Sequence, residues 1–510
     1  MEKTMNNGAK KNSGFLNFIE VVGNKMPHPL TLFLQITAIT IFLSFGLNKL
    51  GVSAVSPSSG EVVEVKNLLS LESLVYFMKN FIENFKNFPV LSNVMILSMA
   101  SGFAEKVGFF RTIIEMFLKD TKGNKVVFIA AFIATLGNMF GDSAFLVIPL
   151  ILATLFKGIN RHPVAGLFLG YAAVGGGFGT AVIPGGWDLI LTPITITAAK
   201  LIKPDFDMTY MSGYFFTFAA TFVIAATTSF VTIKFIEPRL GKYTPGEEEI
   251  EENQEEVTPE KMAAAKKGLL GLLVFIVILV VLCYPQSSPF RSPTGSLVFG
   301  APLMSSLMTL VVLFFFIPAY IYARYTKQVT CMKDLADLIG ESVKGVVPFI
   351  VLSVVISQFL SFFAISNLGT VLAIKGGEIL KTMAVPTPII CILFLSLVAF
   401  INIFIISGSS KYLIFGPIFV PMLMQLGIHP AFTQVVYRMG DAVTNHLSPL
   451  NAFFVILLAL VQKYDKNVGI GTIFSYMLPY TIAYYIVIVA FITIWLFLGI
   501  APGVGSTIFI

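Results

Sequence analysis

Three runs fix what this chain can become: LTLFLQITAITIFLSFGL (30–47), GLLGLLVFIVILVVLCY (268–284) and SYMLPYTIAYYIVIVAFITIWLFLGI (475–500) hold no formal charge. Each is near or above the ~20 residues a helix needs to cross ~30 Å of hydrocarbon. Charged residues make up 12% of the 510, against about 25% in an average soluble domain. The chain therefore reads as an all-α polytopic membrane protein. The polar, basic N-terminus leads into no short apolar core with a small-residue cleavage site, so the first apolar run is expected to stay as a helix. Cys283, Cys331 and Cys391 are too far apart to suggest a disulfide framework or metal spacing.

The loops set the orientation. Lys3, Lys10, Lys11 and Lys25 precede the first run, which places the N-terminus in the cytoplasm by the positive-inside rule. Segment 51–75 holds one lysine and is expected outside. Lys106, Arg111, Lys119, Lys122 and Lys125 mark a return to the inside. The uncharged C-terminus fits the outside, so the number of full crossings is odd. The net charge of +6 is read as this loop bias and not as a nucleic-acid surface. Residues 237–267, with eight glutamates between Glu247 and Glu260, read as a solvated cytoplasmic linker. Four segments follow: an N-terminal stretch 1–28, a first membrane half 29–236, the linker, and a second half 268–510. Thr258-Pro259-Glu260 has the pattern of an N-cap, a first-turn proline and an acidic first turn opening the next helix.

The halves echo one another. GDSAFLVIPLILATLFKGINRHP begins at Gly141, and GSSKYLIFGPIFVPMLMQLGIHP begins at Gly408; in both, His-Pro starts 21 residues after that glycine. Beyond each His-Pro the pattern dissolves into helix breakers, GGGFGTAVIPGG (175–186) and GDAVTNHLSP (440–449). This is the mark of an internal repeat, a common transporter design. It suggests two hairpins that enter the membrane and turn back, near 137–145 and 402–412. Non-helical backbone survives at that depth only where protein or water satisfies it. Asp142 is expected at the first tip, facing a wet cavity, because a carboxylate costs roughly 2.5–3.5 kcal/mol at a bilayer centre.

Candidate site residues cluster around the breaks. Arg438 and Asp441 lie three apart on one helix face, so Arg438 is expected to hold a substrate carboxylate or Asp441 itself. Asn445 and Pro449 break that helix and bare its carbonyls; Asn445 offers a neutral oxygen to sodium or simply a kink. Asp188 follows the glycine-rich break and would bind an ion, carry a proton, or cap a helix beginning at Leu189. Trp187 and Tyr412 would stack on an aromatic ligand or sit at the membrane interface. Lys411 reads as a snorkelling lysine, His446 as a packing residue, and His28, His162 and His429, each before proline, as interfacial turn residues.

Several of these stretches also resemble the p-aminobenzoyl-glutamate transporter (AbgT) family. The likeness runs through VVGNKMPHPLTLFL, GDSAFLVIPL, NRHPVAGLFLGYAAVGGGFGTA, SNLGTVLAIKG, GPIFVPMLMQLGIHP, YRMGDAVTNHLSPL, QKYDKNVGIGT and MLPYTIA. The resemblance implies a homodimer of nine-span subunits with two re-entrant hairpins, an inverted repeat and an elevator-like moving core in the bacterial inner membrane. It also implies uptake of p-aminobenzoyl-glutamate or export of sulfonamides, driven by a sodium or proton gradient, with no other cofactor. By motif position the family's acidic residue falls at Asp188, its hairpin asparagine at Asn402 and its tip serine at Ser409. Pro430, Arg438, Asp441 and Pro449 take the remaining places. The chain departs from the family at Tyr412, where tryptophan is usual, at the GGW before Asp188, and at His446, where an aliphatic residue is usual.

The expected activity is thus secondary active transport of a small aromatic carboxylate, with no enzyme chemistry. An intramembrane aspartyl protease would need two carboxylates sharing a proton. Gly141-Asp142 and Gly440-Asp441 do not occupy equivalent places in the repeat, and Arg438 would keep Asp441 charged. A passive channel is the other alternative.

Overall fold

Apolar runs of this length find no water for their backbone groups in a bilayer, and helix satisfies those groups locally. The structure, a computed structural model, describes residues 29–55, 60–118, 123–137, 144–243, 258–297, 301–383, 385–405, 407–448, 451–466 and 468–510. Asp142, Pro449 and His28 lie outside the described residues.

Helix α1 (Pro29–Lys49) leads into a short antiparallel hairpin, β1 (Ser53–Val55) and β2 (Val62–Glu64), with Ala54 opposite Val63. Next come α2 (Leu71–Lys86), α3 (Pro89–Lys106), α4 (Phe109–Leu118), α5 (Asn124–Gly137), α6 (Ala144–Gly158), α7 (Pro163–Gly176), α8 (Gly186–Ala199) and α9 (Tyr214–Val231). The second half holds α10 (Pro259–Cys283), α11 (Leu307–Tyr325), α12 (Met332–Val343), α13 (Val347–Ile365) and α14 (Leu368–Thr382). It ends with α15 (Thr387–Asn402), α16 (Gly408–Gln425), α17 (Pro430–Thr444), α18 (Ala452–Gln462) and α19 (Ile470–Leu498).

Among the described residues six helices are long and apolar enough to cross a membrane, and four more are apolar but shorter. Helix α10 shows what such a helix meets outside: it buries only Ala264, Ala265, Gly268 and Cys283, leaving Leu270, Val274 and Val281 exposed. An apolar helix bare on most of its surface belongs in lipid. The 237–267 stretch is helical at both ends, which narrows the expected linker. A helical turn, Glu237–Leu240, continues α9, and α10 starts at Pro259, where the Thr258 hydroxyl accepts the Lys261 N–H at 3.3 Å.

Opposite to α10 in character are α7 and α17, in which every residue is buried. Each follows a His-Pro, and the two approaches match atom for atom. Asn160 (φ 57°) and Gly427 (φ 81°) take the left-handed conformation two residues before the histidine. The next N–H, of Arg161 or Ile428, reaches back five residues to Phe156 O or Leu423 O, at 2.8 and 3.0 Å. This is the paired-bond closure of a helix C-terminus around a left-handed residue. His162 Nδ1 then accepts the Val164 N–H at 3.3 Å, and His429 Nδ1 accepts the Ala431 N–H at 3.1 Å. Both histidines are N-caps, which gives the two His-Pro pairs a definite structural task.

Close backbone packing fixes α6 against α7. A Cβ added at Gly166 would stand 2.4 Å from Leu152 O, and one at Gly170 would stand 2.8 Å from Pro149 Cα. Backbone cannot give way as a flexible side chain can. Gly166→Ala is expected to lower stability by about 1–3 kcal/mol, read as a fall in melting temperature of the purified protein. Gly46→Ala, with nothing within 4 Å of the new Cβ, is the control.

Candidate functional site: two helix breaks meeting at buried charges

The first break begins where α7 ends at Gly176. One turn of tighter helix, Gly177–Gly179, gives way to extended backbone at Thr180, and α8 restarts at Gly186. Glycine at 175–177 and 179 leaves this stretch without the side chains that would hold a helix together. The second half has its own break: α15 stops at Asn402 and α16 starts at Gly408, with the Ser407 hydroxyl accepting the Ser410 N–H at 3.3 Å. An interruption thus falls at the second expected hairpin tip; residues 138–143, where the first is expected, lie outside the described residues. A further break follows Thr444, where α17 ends and Asn445 takes the capping position.

These breaks touch. A Cβ on Gly408 would lie 2.6 Å from the Phe178 ring, and one on Gly175 would lie 3.0 Å from His446 Cβ. Tyr437 donates its hydroxyl to Gly408 O at 2.5 Å. The start of α16 and the end of α17 therefore both rest on residues 175–180 of the other half.

Two ion pairs sit at this meeting point. Arg438 Nη1 donates to Asp188 Oδ1 at 2.5 Å, with side-chain exposures of 1% and 4%. Its Nε and Nη2 donate to Phe178 O at 3.1 Å and Thr180 O at 3.2 Å, carbonyls that the break leaves without helical partners. Asp188 Oδ2 accepts the Gly185 N–H at 3.0 Å. Asp188 is thus the third residue of α8, bonding back to the cap, and does not cap a helix starting at Leu189. The second pair joins Lys411 of α16 to Asp441 Oδ1, both fully buried. Lys411 Nζ also donates to Asn402 Oδ1 at 2.5 Å. Asp441 Oδ2 accepts Asn445 Nδ2 at 3.0 Å.

Two expectations are overturned here. Arg438 does not hold Asp441: on one helix face they reach in different directions, Arg438 into the first break and Asp441 toward α16. Nor does Lys411 snorkel, since a side chain with no exposed surface cannot carry its charge to the interface.

The remaining candidates are placed as follows. Asn402 Nδ2 lies within hydrogen-bond reach of Asp441 O (2.9 Å), Thr444 Oγ1 (3.1 Å) and Asn445 Oδ1 (3.2 Å), capping the end of α17 from the side. Asn445 also sends Nδ2 toward Gly175 O at 3.4 Å. Ser409 is half-buried in the first turn of α16, and Pro430 opens α17. Tyr412 is buried, its hydroxyl 2.7 Å from Thr195 Oγ1, which donates to Gln434 Oε1 at 2.6 Å. Trp187 packs on Phe178 with ring centres 4.2 Å apart, and Tyr412 on Tyr437 at 4.4 Å. Both aromatics therefore already have partners inside the protein. His446 is buried with Nε2 2.9 Å from Thr481 Oγ1, the packing role expected of it.

Gln434, Phe178 and Tyr437 went unseen in the sequence, and Lys411 was seen but misjudged. A signal existed for two of them. Gln434, Arg438, Asp441 and Asn445 are spaced +4, +3 and +4, one polar stripe along a helix buried on every side. Lys411 is the single formal charge between residues 387 and 437. A small apolar cavity of about 60 Å³ lies beside the site between Pro193, Ile194, Leu413, Pro417, Leu360 and Phe363; none of the four charged residues lines it.

This arrangement can be compared with known proteins. The family described as "AbgT putative transporter family" matches residues 14–510. The chain belongs to the AbgT family. A p-aminobenzoyl-glutamate transport protein of Escherichia coli (strain K12) is 31% identical over 488 residues, 96% of each chain. The crystal structure of the Alcanivorax borkumensis YdaH transporter, at 30% identity, superposes with a TM-score of 0.87 and covers 94% of this chain and 100% of that one. Neisseria gonorrhoeae MtrF, placed in a class of antimetabolite efflux pumps, gives a TM-score of 0.89 at 30% identity, covering 96% and 100%. This AbgT-family chain is accordingly a membrane transporter and not an enzyme. The protease alternative is set aside.

Proposed function

We propose that this protein is a secondary active transporter of a small aromatic carboxylate such as p-aminobenzoyl-glutamate, or of a sulfonamide-type antimetabolite, driven by a sodium or proton gradient. The observation that carries this reading is the Arg438–Asp188 pair. A guanidinium from one half holds a carboxylate from the other at a helix break, with two of its donors on break carbonyls. A substrate carboxylate exchanging for Asp188 on Arg438 would loosen the two halves together, linking binding to movement. The match to a p-aminobenzoyl-glutamate transport protein over 96% of both chains supports the substrate class.

The substrate binds between the tips near Asp142 and Ser409 and the breaks near Asp188 and Asn445, with Pro430 and Pro449 among its binding residues. Trp187 and Tyr412 exchange their aromatic partners for the substrate ring. The ions couple at Asp142, Asp188, Asn402 and Asn445. Helices α15 and α16 support the reading of the second hairpin: at 1.5 Å per residue they extend about 24–27 Å, short of ~30 Å of hydrocarbon. The matched turns before His162 and His429 support an inverted repeat. The subunit crosses nine times with its N-terminus in the cytoplasm, and a homodimer scaffold in the inner membrane carries an elevator-like core.

In proteoliposomes, labelled p-aminobenzoyl-glutamate is expected to accumulate above equilibrium when a sodium or a pH gradient is imposed separately. Equilibration without overshoot under both would make the protein a channel for it, and no entry under either would remove this substrate.

A further inference from the structure

Three oxygens converge on the Lys411 ammonium: Asn402 Oδ1 at 2.5 Å, Asp441 Oδ1 in the ion pair, and Ile405 O at 3.4 Å. They come from the end of one helix, the broken backbone after it, and a third helix near its C-terminus. Unwound carbonyls and helix C-terminal ends are the groups with which broken membrane helices hold alkali cations. The same corner is negative by construction, because the α17 carbonyls accumulate partial charge beside Asp441. Asn445 and Asn402 organise it, the first on Asp441 Oδ2 and the second on Asp441 O. The Tyr437 ring face lies 5.8 Å from the ammonium and adds to the attraction.

A lysine is an unusual occupant. Its ammonium is a compact point charge on a flexible stem, close to a hydrated alkali ion in character but unable to leave. We infer that Lys411 is a tethered cation filling the seat between the second tip and the end of α17. The seat as built therefore takes no sodium, and removing the side chain turns it into a sodium site. This deepens the proposed function by naming what occupies the seat of Asn402 and Asn445: the cation those residues hold is the lysine's own, which leaves the exchangeable ion to Asp142 and Asp188, and the inference rests on that reading of the seat.

Charge balance gives the reason. Arg438 and Asp188 neutralise each other, as do Lys411 and Asp441. Deleting the ammonium leaves one buried carboxylate among oxygens with no counter-charge, a state that draws in a cation of suitable size.

The test needs no transport, so it separates this inference from the substrate assignment. Binding of radiolabelled sodium to the purified full chain is compared for the wild type, Lys411→Ala, and Lys411→Ala with Asp441→Asn. The single variant is expected to gain about one sodium per chain and to melt higher in sodium chloride than in choline chloride, as a ligand of the folded state requires. The added Asp441→Asn should remove both effects. A folded Lys411→Ala that gains no sodium overturns the inference. If that variant does not fold, Lys411→Ser, which supplies an extra oxygen, repeats the measurement. The wild type decides in any case: equal melting in the two salts supports the tethered cation. A sodium-dependent rise that Asn402→Ala abolishes would put a metal ion in the seat and sink the idea.

Discussion

Arg438→Met is expected to abolish uptake and to lower stability by about 3–5 kcal/mol, the usual cost of breaking a buried pair from one side. The side chain is 1% exposed, and its guanidinium serves three acceptors at once. Phe178 O and Thr180 O lie in backbone that has already left the helix, so their loss of a donor is uncompensated. Among the described residues Asp188 would keep only the Gly185 N–H as a donor. Asp188→Asn separates structure from transport. Its amide oxygen still accepts from Gly185, and Arg438 keeps both carbonyls, so a smaller loss of stability is expected. Uptake should still vanish, because a neutral amide offers no charge to exchange for a substrate carboxylate. Thermal unfolding in detergent and proteoliposome uptake read the two effects separately. Full uptake in both variants would move the substrate site elsewhere while leaving the fold untouched.

What the sequence disclosed follows from the kind of interaction each residue makes. Long uncharged runs and paired His-Pro segments are local patterns, so the membrane class, the interruption after Asn402 and the cap at Thr258 were all legible. The site was legible as a set of residues: Asp188, Asn402, Arg438, Asp441 and Asn445 do gather around the breaks. Their partners were not. Helical spacing brought Arg438 and Asp441 onto one face, which is a necessary condition for pairing but not a sufficient one. The decisive contacts run between segments some 250 residues apart, such as Arg438 to Asp188, and 30 apart, such as Lys411 to Asp441. Snorkelling was inferred for Lys411 because its depth was unknown. The stripe from Gln434 to Asn445 on a wholly buried helix is the sequence signal that places Lys411 inside, since buried carboxylates require cations.

The Lys411–Asp441 pair yields the most discriminating result when both charges are removed. In sodium-free buffer, Lys411→Met and Asp441→Asn should each cost about 3–5 kcal/mol, since each strands the opposite charge with no exposed surface to relieve it. The two losses should not add. In the double variant neither charge remains, Asn402 can still reach Asp441 O, and Asn445 still faces an amide at position 441. Most of the stability is expected to return, with a coupling of about 2 kcal/mol or more between the two sites. Uptake should not return, because the double variant has a quiet seat with no ion in it. A neutral tip would have no electrostatic reason to stay on α17 in one state and part from it in another. A folded double variant that transports at the wild-type rate would reduce the pair to a packing device and would take the second tip out of the coupling mechanism.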